Sequence, residues 1–399
     1  MENILTKLRE VMTGDEVVNT VLEMVKIPSY PGIEGQETET AKYVHEIFKK
    51  EGIPSEVYEV VDGRCNVVAR LKGKGVGKNI LLTGHLDTVP LYDMEDGLNP
   101  KIENGNIIGR GTVDMKGPLA CMVLSMVALK RAGIELDGDV VFAGVIDEEN
   151  KSEGTIELLK KGLDVQAAIV GEPSELNICV GHRGLEWFEI HFQGKTVHGG
   201  KQEEGINAIK NAMKFIQVLE EEVIPKLKDN YHPIIGASSM NYGYIKGGLQ
   251  PSTVAGECLL QIDRRWIPGE RYENVLKQYQ DIINRLEKED EKFKCDMKVM
   301  DVSLMRDGYI HEAMETDKNH DFVEIISEAT HLVTGNVPKR TSFTAWSDGG
   351  LLNSYGNIPT VIFAPGCLET AHSNREYIDI ESLLPAVFSY ALICDKFCK

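Results

Sequence analysis

Short apolar runs, each closed by a polar or acidic cluster, recur along this chain. Residues 79–83 (NILLT) lead into GHLDTVP, and 140–146 end in Asp147, Glu148 and Glu149. Residues 165–170 lead into GEPSEL, and 358–364 (IPTVIFA) lead into PGCLETAHSN. Unbroken runs of this length predict strands buried on both faces. Between them, residues 118–132 place apolar side chains on most helical turns and predict a helix. Strands alternating with helices predict an α/β fold with a mainly parallel sheet flanked by helices.

The middle of the chain has a different rhythm. Residues 185–192 (LEWFEIHF) alternate like a half-exposed strand, and 203–223 carry a long amphipathic helical pattern. Residues 254–262 (VAGECLLQI) form another strand pattern, followed by a second amphipathic helix over 269–290. Strand, helix, strand, helix in this span predicts a small two-layer α+β domain inserted into the larger one. The expected division is 1–182 and 295–399 for the large domain, and 183–294 for the insertion.

The polar residues that close the apolar runs fall into one class of place. His85 and Asp87 follow the first strand, and Asp114 lies in GRGTVDMKG just before the helix. Glu148 and Glu149 end the 140–146 strand, Glu172 follows the 165–170 strand, and His372 follows the last. Open α/β sheets bind ligands beyond the carboxyl ends of their strands. Singly, each residue has an ordinary structural reading; a histidine after a strand is common and an acidic turn is usually solvated. Jointly they form a mixed nitrogen and oxygen set that suits Zn²⁺, and also Mn²⁺ or Co²⁺. Cations would also neutralise adjacent carboxylates that otherwise repel one another at the end of a buried strand.

Composition removes other classes. The 399 residues are 42% hydrophobic, ample for a buried core, and the net charge of −19 argues against nucleic acid and anionic membranes as partners. No run of about 18 apolar residues predicts a spanning helix. The N-terminal MENILTKLREVM lacks the apolar core of a signal peptide, so a cytoplasmic protein is expected. Eight scattered cysteines predict free thiols rather than a disulfide framework. No GxGxxG or GxxxxGK[ST] follows a strand, which disfavours a nucleotide-binding enzyme.

Eight motifs in one order, TGHLDTVP, GRGTVDMKG, DEE, GEP, GHRG, KTVHGG with GINAI, DRRWIPGE and APGCLETAHSNREY, give the chain a resemblance over almost its full length. It resembles the M20 family of metallopeptidases and amidohydrolases, which includes acetylornithine deacetylase, succinyl-diaminopimelate desuccinylase, aminoacylase and the glutamate carboxypeptidases. The resemblance implies a zinc-peptidase-like catalytic domain with two Zn²⁺ per subunit, Co²⁺ or Mn²⁺ being possible substitutes. It implies His85 and Glu172 on the first metal, Glu149 and His372 on the second, and Asp114 bridging both, with a cis peptide after Asp114. Glu148 takes the place of the general base and Asp87 that of the carboxylate orienting His85. Asp147 has no role and reads as solvated.

In the insertion, His198 resembles the family's oxyanion-stabilising histidine, and Arg265 the arginine that grips a substrate carboxylate; Arg264 is expected in a surface pair. Ser252 stands where the family has Asn, Asn207 supports its loop, and Asp348 in TAWSDGG resembles a pocket-lining residue. Gly350 replaces the arginine common in desuccinylases, which weakens that activity. The implied function is hydrolysis of an N-acyl amino acid by a dinuclear metal site, in a homodimer formed through the insertion. A di- or tripeptidase or carboxypeptidase is the alternative within the family, and a non-catalytic metal-binding regulatory protein is the alternative outside it. Retention of Glu148, which a ligand-only protein does not need, favours the enzyme.

Overall fold

The computed structural model describes residues 1–399 and divides into two compact units. The larger is Met1–His182 with Met314–Lys399; the smaller is Arg183–Ala313. The stretch 295–313, expected in the returning part of the large domain, lies in the small unit. The reason is a strand, Lys294–Val299, that pairs antiparallel with Gly184–Gln193.

The large unit is built on an eight-stranded mixed sheet. Its central strands, Val140–Val145, Ile80–His85 and Ala167–Val170, are parallel to one another and buried along their whole length. Thr360–Ile362 continues the parallel run, and Ser55–Val61 with Arg64–Leu71 forms an antiparallel hairpin at one edge. No face of the central strands meets water, which is why their sequences run apolar without alternation.

Helix Gly117–Arg131 opens with Pro118 in its first turn, where the missing N–H costs nothing, and residues 117 to 129 are all buried. The segment Thr112–Arg131 has the length and hydropathy of a membrane span, contrary to the sequence reading, but it is wholly buried among the unit's other elements. A core helix satisfies the same criterion as a spanning one, and burial identifies which this is.

The small unit carries a four-stranded antiparallel sheet, ordered Ser239–Gly247, Glu257–Trp266, Gly184–Gln193, Lys294–Val299. Phe188, Ile190, Phe192, Leu260 and Ile262 on one face pack against Phe215, Tyr279, Ile282 and Ile283 from helices Ala208–Val218 and Tyr272–Glu289. The two outer strands are not among those the sequence reading expects. All eight cysteines are free thiols, six of them buried.

Candidate metal centre

Strand register explains how distant residues meet. Thr83 pairs with both Ala143 and Val170, so the chain two residues further on brings His85, Val145 and Glu172 level at one end of the sheet. Glu148 and Glu149 lie in the turn just past Val145. Asp114 comes from the turn that feeds helix Gly117–Arg131, across a cis Asp114–Met115 peptide. His372 follows the short turn Leu368–Thr370 in a left-handed conformation, φ 59°.

The Asp114 carboxylate lies between two imidazoles. Its Oδ1 is 2.9 Å from His85 Nε2 and its Oδ2 is 3.1 Å from His372 Nε2. Glu172 Oε1 lies 3.7 Å from His85 Nε2, and Glu149 Oε1 lies 3.0 Å from His372 Nε2. Ligand atoms of His85, Glu148 and Glu172 fall within 4.8 Å of one another, as do those of His85, Asp114 and Glu149. The two ligand clusters share His85, and Asp114 reaches from His85 to His372, an arrangement that could serve two cations.

The electrostatics are those of a site built for cations. Burial opposes charge on His85 most strongly, yet hydrogen bonding to Asp114 and the Glu172 charge raise its pKa well above normal. Hydrogen bonds to Asp114 and Glu149 push His372 up to about 10. Burial raises Glu148, and the neighbouring Glu172 charge adds to it. Glu149 and Glu172 are likewise raised by burial and by the charge of Asp114. Burial also opposes ionisation of Asp114, but the two imidazoles outweigh it and hold its pKa far below the usual range. Glu172 Oε1 is buried with no hydrogen-bond partner, a costly state for a carboxylate oxygen that a divalent ion would relieve. The residues therefore fit a metal pair: two imidazoles, three carboxylates as ligands, and one orphaned oxygen aimed at them.

Asp87 holds the turn. Its Oδ1 accepts the Glu148 N–H at 3.3 Å and its Oδ2 the Glu149 N–H at 3.1 Å. His85 Nδ1 lies 3.0 Å from the Asp87 main-chain carbonyl and 3.5 Å from its carboxylate. The expected carboxylate–imidazole contact is therefore mainly a carbonyl contact, because the carboxylate is engaged by two amides. A carbonyl only accepts, so Nδ1 is the donor and Nε2 faces the ligand cluster.

Residues 81–396 match the family model described as peptidase family M20/M25/M40. The chain belongs to the M20 family. An N-formyl-4-amino-5-aminomethyl-2-methylpyrimidine deformylase of Bacillus subtilis is 32% identical over 90% of this chain and 88% of its own length. An acetylornithine deacetylase of Myxococcus xanthus is 28% identical over 84% of each chain. In structure, the aminopeptidase PepT of Bacillus cereus superposes with a TM-score of 0.81 at 23% identity, covering 97% of this chain and 100% of its own. This M20 protein is accordingly a metal-dependent hydrolase of amide bonds with the fold of that family.

Asp147 corrects the sequence reading. It is buried, and Arg64 Nη2 donates to its Oδ1 at 2.7 Å. Asp348 is buried as well, with Oδ2 accepting from Thr155 Oγ1 and Oδ1 unpartnered. Burial pushes its pKa up to about 6, and its charge acts on both Glu148 and Glu172. In the M20 protein's small unit, Asn207 caps helix Ala208–Val218 by accepting from the Ile209 and Lys210 amides, a supporting role. His198 is exposed; its Nδ1 accepts from the Gly200 N–H at 3.1 Å. Ser252 sits beside it, its carbonyl accepting the Gly199 N–H at 2.7 Å. Arg265 is held by Asp263 at 3.1 Å. Arg264 is not a surface residue: it is buried and pairs with Glu270 at 2.9 Å, because its position faces the helices.

Two further charged residues brace the site, and sequence reading gave neither a role. Glu376 Oε1 accepts the Val113 and Asp114 amides at 3.1 and 3.2 Å, and its Oε2 accepts from Arg110 at 2.6 Å. Glu376 lies within the SNREY motif four residues after His372, which was its only signal.

Proposed function

We propose that this protein removes a small acyl group from an N-acyl amino acid or a related amide, using two Zn²⁺ per subunit. The observation that carries the reading is the Asp114 carboxylate shared between His85 and His372, with Glu148 beside the same cluster. His85 and Glu172 would hold one cation, His372 and Glu149 the other, and Asp114 both. Bound there, the pair supplies positive charge that acidifies water and polarises an amide carbonyl.

The chain's own residues then manage the protons. Glu148 takes one proton from water as the water oxygen attacks the carbonyl carbon. The C–N bond breaks as Glu148 returns that proton to the leaving nitrogen, yielding a carboxylic acid and an amine. One residue can perform both transfers because a carboxylate that accepts a proton becomes the acid that returns it. With Nδ1 accepting from the Gly200 N–H, His198 has Nε2 as its donor, the kind of group that stabilises a developing oxyanion. Arg265 presents a planar guanidinium suited to a substrate carboxylate.

The names of two relatives, a deformylase and an acetylornithine deacetylase, support small acyl groups as the first substrates to try. The test is a panel of N-formyl, N-acetyl and N-succinyl amino acids, an N-formyl aminomethylpyrimidine, and di- and tripeptides, each with Zn²⁺, Co²⁺ and Mn²⁺. Turnover of formyl or acetyl substrates above peptides supports the reading. Turnover of peptides alone replaces it with a peptidase, and no turnover of any substrate removes it.

We further infer a homodimer through the small unit. Met213 and Ile209 are exposed on helix Ala208–Val218, and Tyr244 and Ile245 are exposed on the edge strand Ser239–Gly247. An apolar helix face with an unpaired strand edge is a ready pairing surface.

A further inference from the structure

A buried ion triad lies behind the 147–149 turn, and two of its three members, Glu37 and Arg64, belong to none of the motifs that define the site. Arg64 Nε donates to Glu37 Oε2 at 2.9 Å, its Nη2 donates to Glu37 Oε1, and the same Nη2 donates to Asp147 Oδ1 at 2.7 Å. The side chains of Glu37 and Asp147 are 0% and 4% exposed, and that of Arg64 is 17% exposed. One guanidinium therefore serves two carboxylates that have almost no access to water.

The position of Asp147 gives the triad its meaning. Its φ is 71°, in the left-handed region where a side chain is strained, and it immediately precedes Glu148. Its carbonyl accepts the amides of Asn150, Lys151 and Ser152 at 3.2, 2.9 and 2.6 Å. Arg64 thus anchors by its side chain the residue whose backbone starts the turn. Two positions along the same strand, Asn66 accepts the Ile146 N–H at 3.1 Å and donates to the Gly154 carbonyl at 2.9 Å. Residues two apart on a strand face the same way, so Arg64 and Asn66 brace consecutive residues, 147 and 146, from one side. On the other side Asp87 holds the amides of Glu148 and Glu149. Fixed between these supports, the two neighbouring glutamates send their carboxylates into different ligand clusters.

We propose that Arg64 is a positioning residue that, through Asp147, sets the backbone of the 147–149 turn and so determines which cluster Glu148 and Glu149 enter. Its catalytic consequence rests on the hydrolase reading above; its structural consequence does not. A lysine retains the charge but cannot span both carboxylates with a planar fork.

The test compares Arg64→Ala and Arg64→Lys with Arg70→Met, which removes the Arg70–Asp139 pair further along the same strand. In metal-free protein, amide hydrogen exchange over 145–152 should accelerate by about tenfold in both Arg64 variants and stay at the wild-type rate in Arg70→Met. In Zn²⁺-loaded protein, kcat should fall about 10–100-fold, the range for residues that orient a metal site, with KM within about twofold and two cations retained. Millimolar guanidinium should restore part of the kcat of Arg64→Ala. Unchanged exchange over 145–152 overturns the proposal, as does a kcat loss that merely follows lost metal or is equalled in Arg70→Met. If Arg64→Ala does not fold, Arg64→Lys decides by the same exchange and kcat criteria. If wild-type protein cleaves no amide in the panel, the hydrolase reading fails, and the exchange measurement alone decides the role of Arg64.

Discussion

Asp114 shows how one residue can define a dinuclear site. Each of its oxygens faces a different imidazole, and hydrogen bonding to it raises the pKa of both. Metal uptake near pH 7 should therefore release a net number of protons, from these imidazoles and from the carboxylates whose pKa burial raises. Calorimetric titration of Zn²⁺ in buffers of different ionisation enthalpy reads that number, and zero release would contradict the arrangement. The stability of metal-free protein follows the same pairs. The folded pKa of His372, about 10, is raised above the unfolded value near 6.5. Its stabilising contribution is complete below about pH 6.5 and is lost as pH rises through about 10. The urea midpoint of metal-free protein should fall over that window, and metal-loaded protein should not show the same fall. At this scale the ligands were legible because each follows a strand in a short polar motif. Asp147 was not: its partner Arg64 lies 83 positions earlier, in a hairpin strand with no motif to mark it. Nor was Arg264, whose burial depends on helices that cover one face of the small sheet.

The elements were legible where their burial is uniform. Three central strands and the core helix have no solvent face, so unbroken apolar runs identified them. Ser239–Gly247 is mostly exposed and contains two glycines, which leaves little pattern to read, whereas Lys294–Val299 alternates exposed Lys, Asp and Lys with inward Cys295, Met297 and Val299, a six-residue signal that the sequence reading did not use. Missing the second moved the domain boundary. The helix after the acidic turn gives an element-scale prediction. A Cβ on Gly154 would lie 2.3 Å from the Ile146 backbone nitrogen and 2.8 Å from its carbonyl oxygen, neither of which can yield. Gly154→Ala should push helix Glu153–Lys161 off the strand end, costing about 1–3 kcal/mol as overpacking does. Thermal unfolding should show a lower midpoint, with activity falling alongside it; a midpoint equal to wild type would show that the helix has room to shift.

For the whole molecule, the net charge of −19 coexists with a site whose ligands are themselves mostly acidic. Charge alone would repel anionic substrates, so on the proposed reading cations at the cluster would supply the local attraction. Association is the other property at this scale. Sedimentation at micromolar concentration should give a dimer, and a Met213→Glu, Ile245→Glu double variant should give a folded monomer. A wild-type monomer would contradict the dimer inference. The two-unit division was legible as a change of rhythm in the sequence, but the end of the insertion was not, because it depends on a strand pairing between residues more than a hundred positions apart.

The central claim is tested most directly by measuring metal content and turnover together in Glu148→Gln and Glu149→Gln. The account predicts that Glu148→Gln keeps two cations per chain and loses turnover by at least about 10²–10⁴-fold, the general-base range, because an amide cannot accept the proton. Glu149→Gln should bind the cation shared with His372 more weakly, with turnover recovering as metal is raised. The opposite pattern, with metal lost in Glu148→Gln and turnover surviving at saturating metal, would reverse the two roles. Full metal content and full turnover in both variants would contradict the hydrolase site itself.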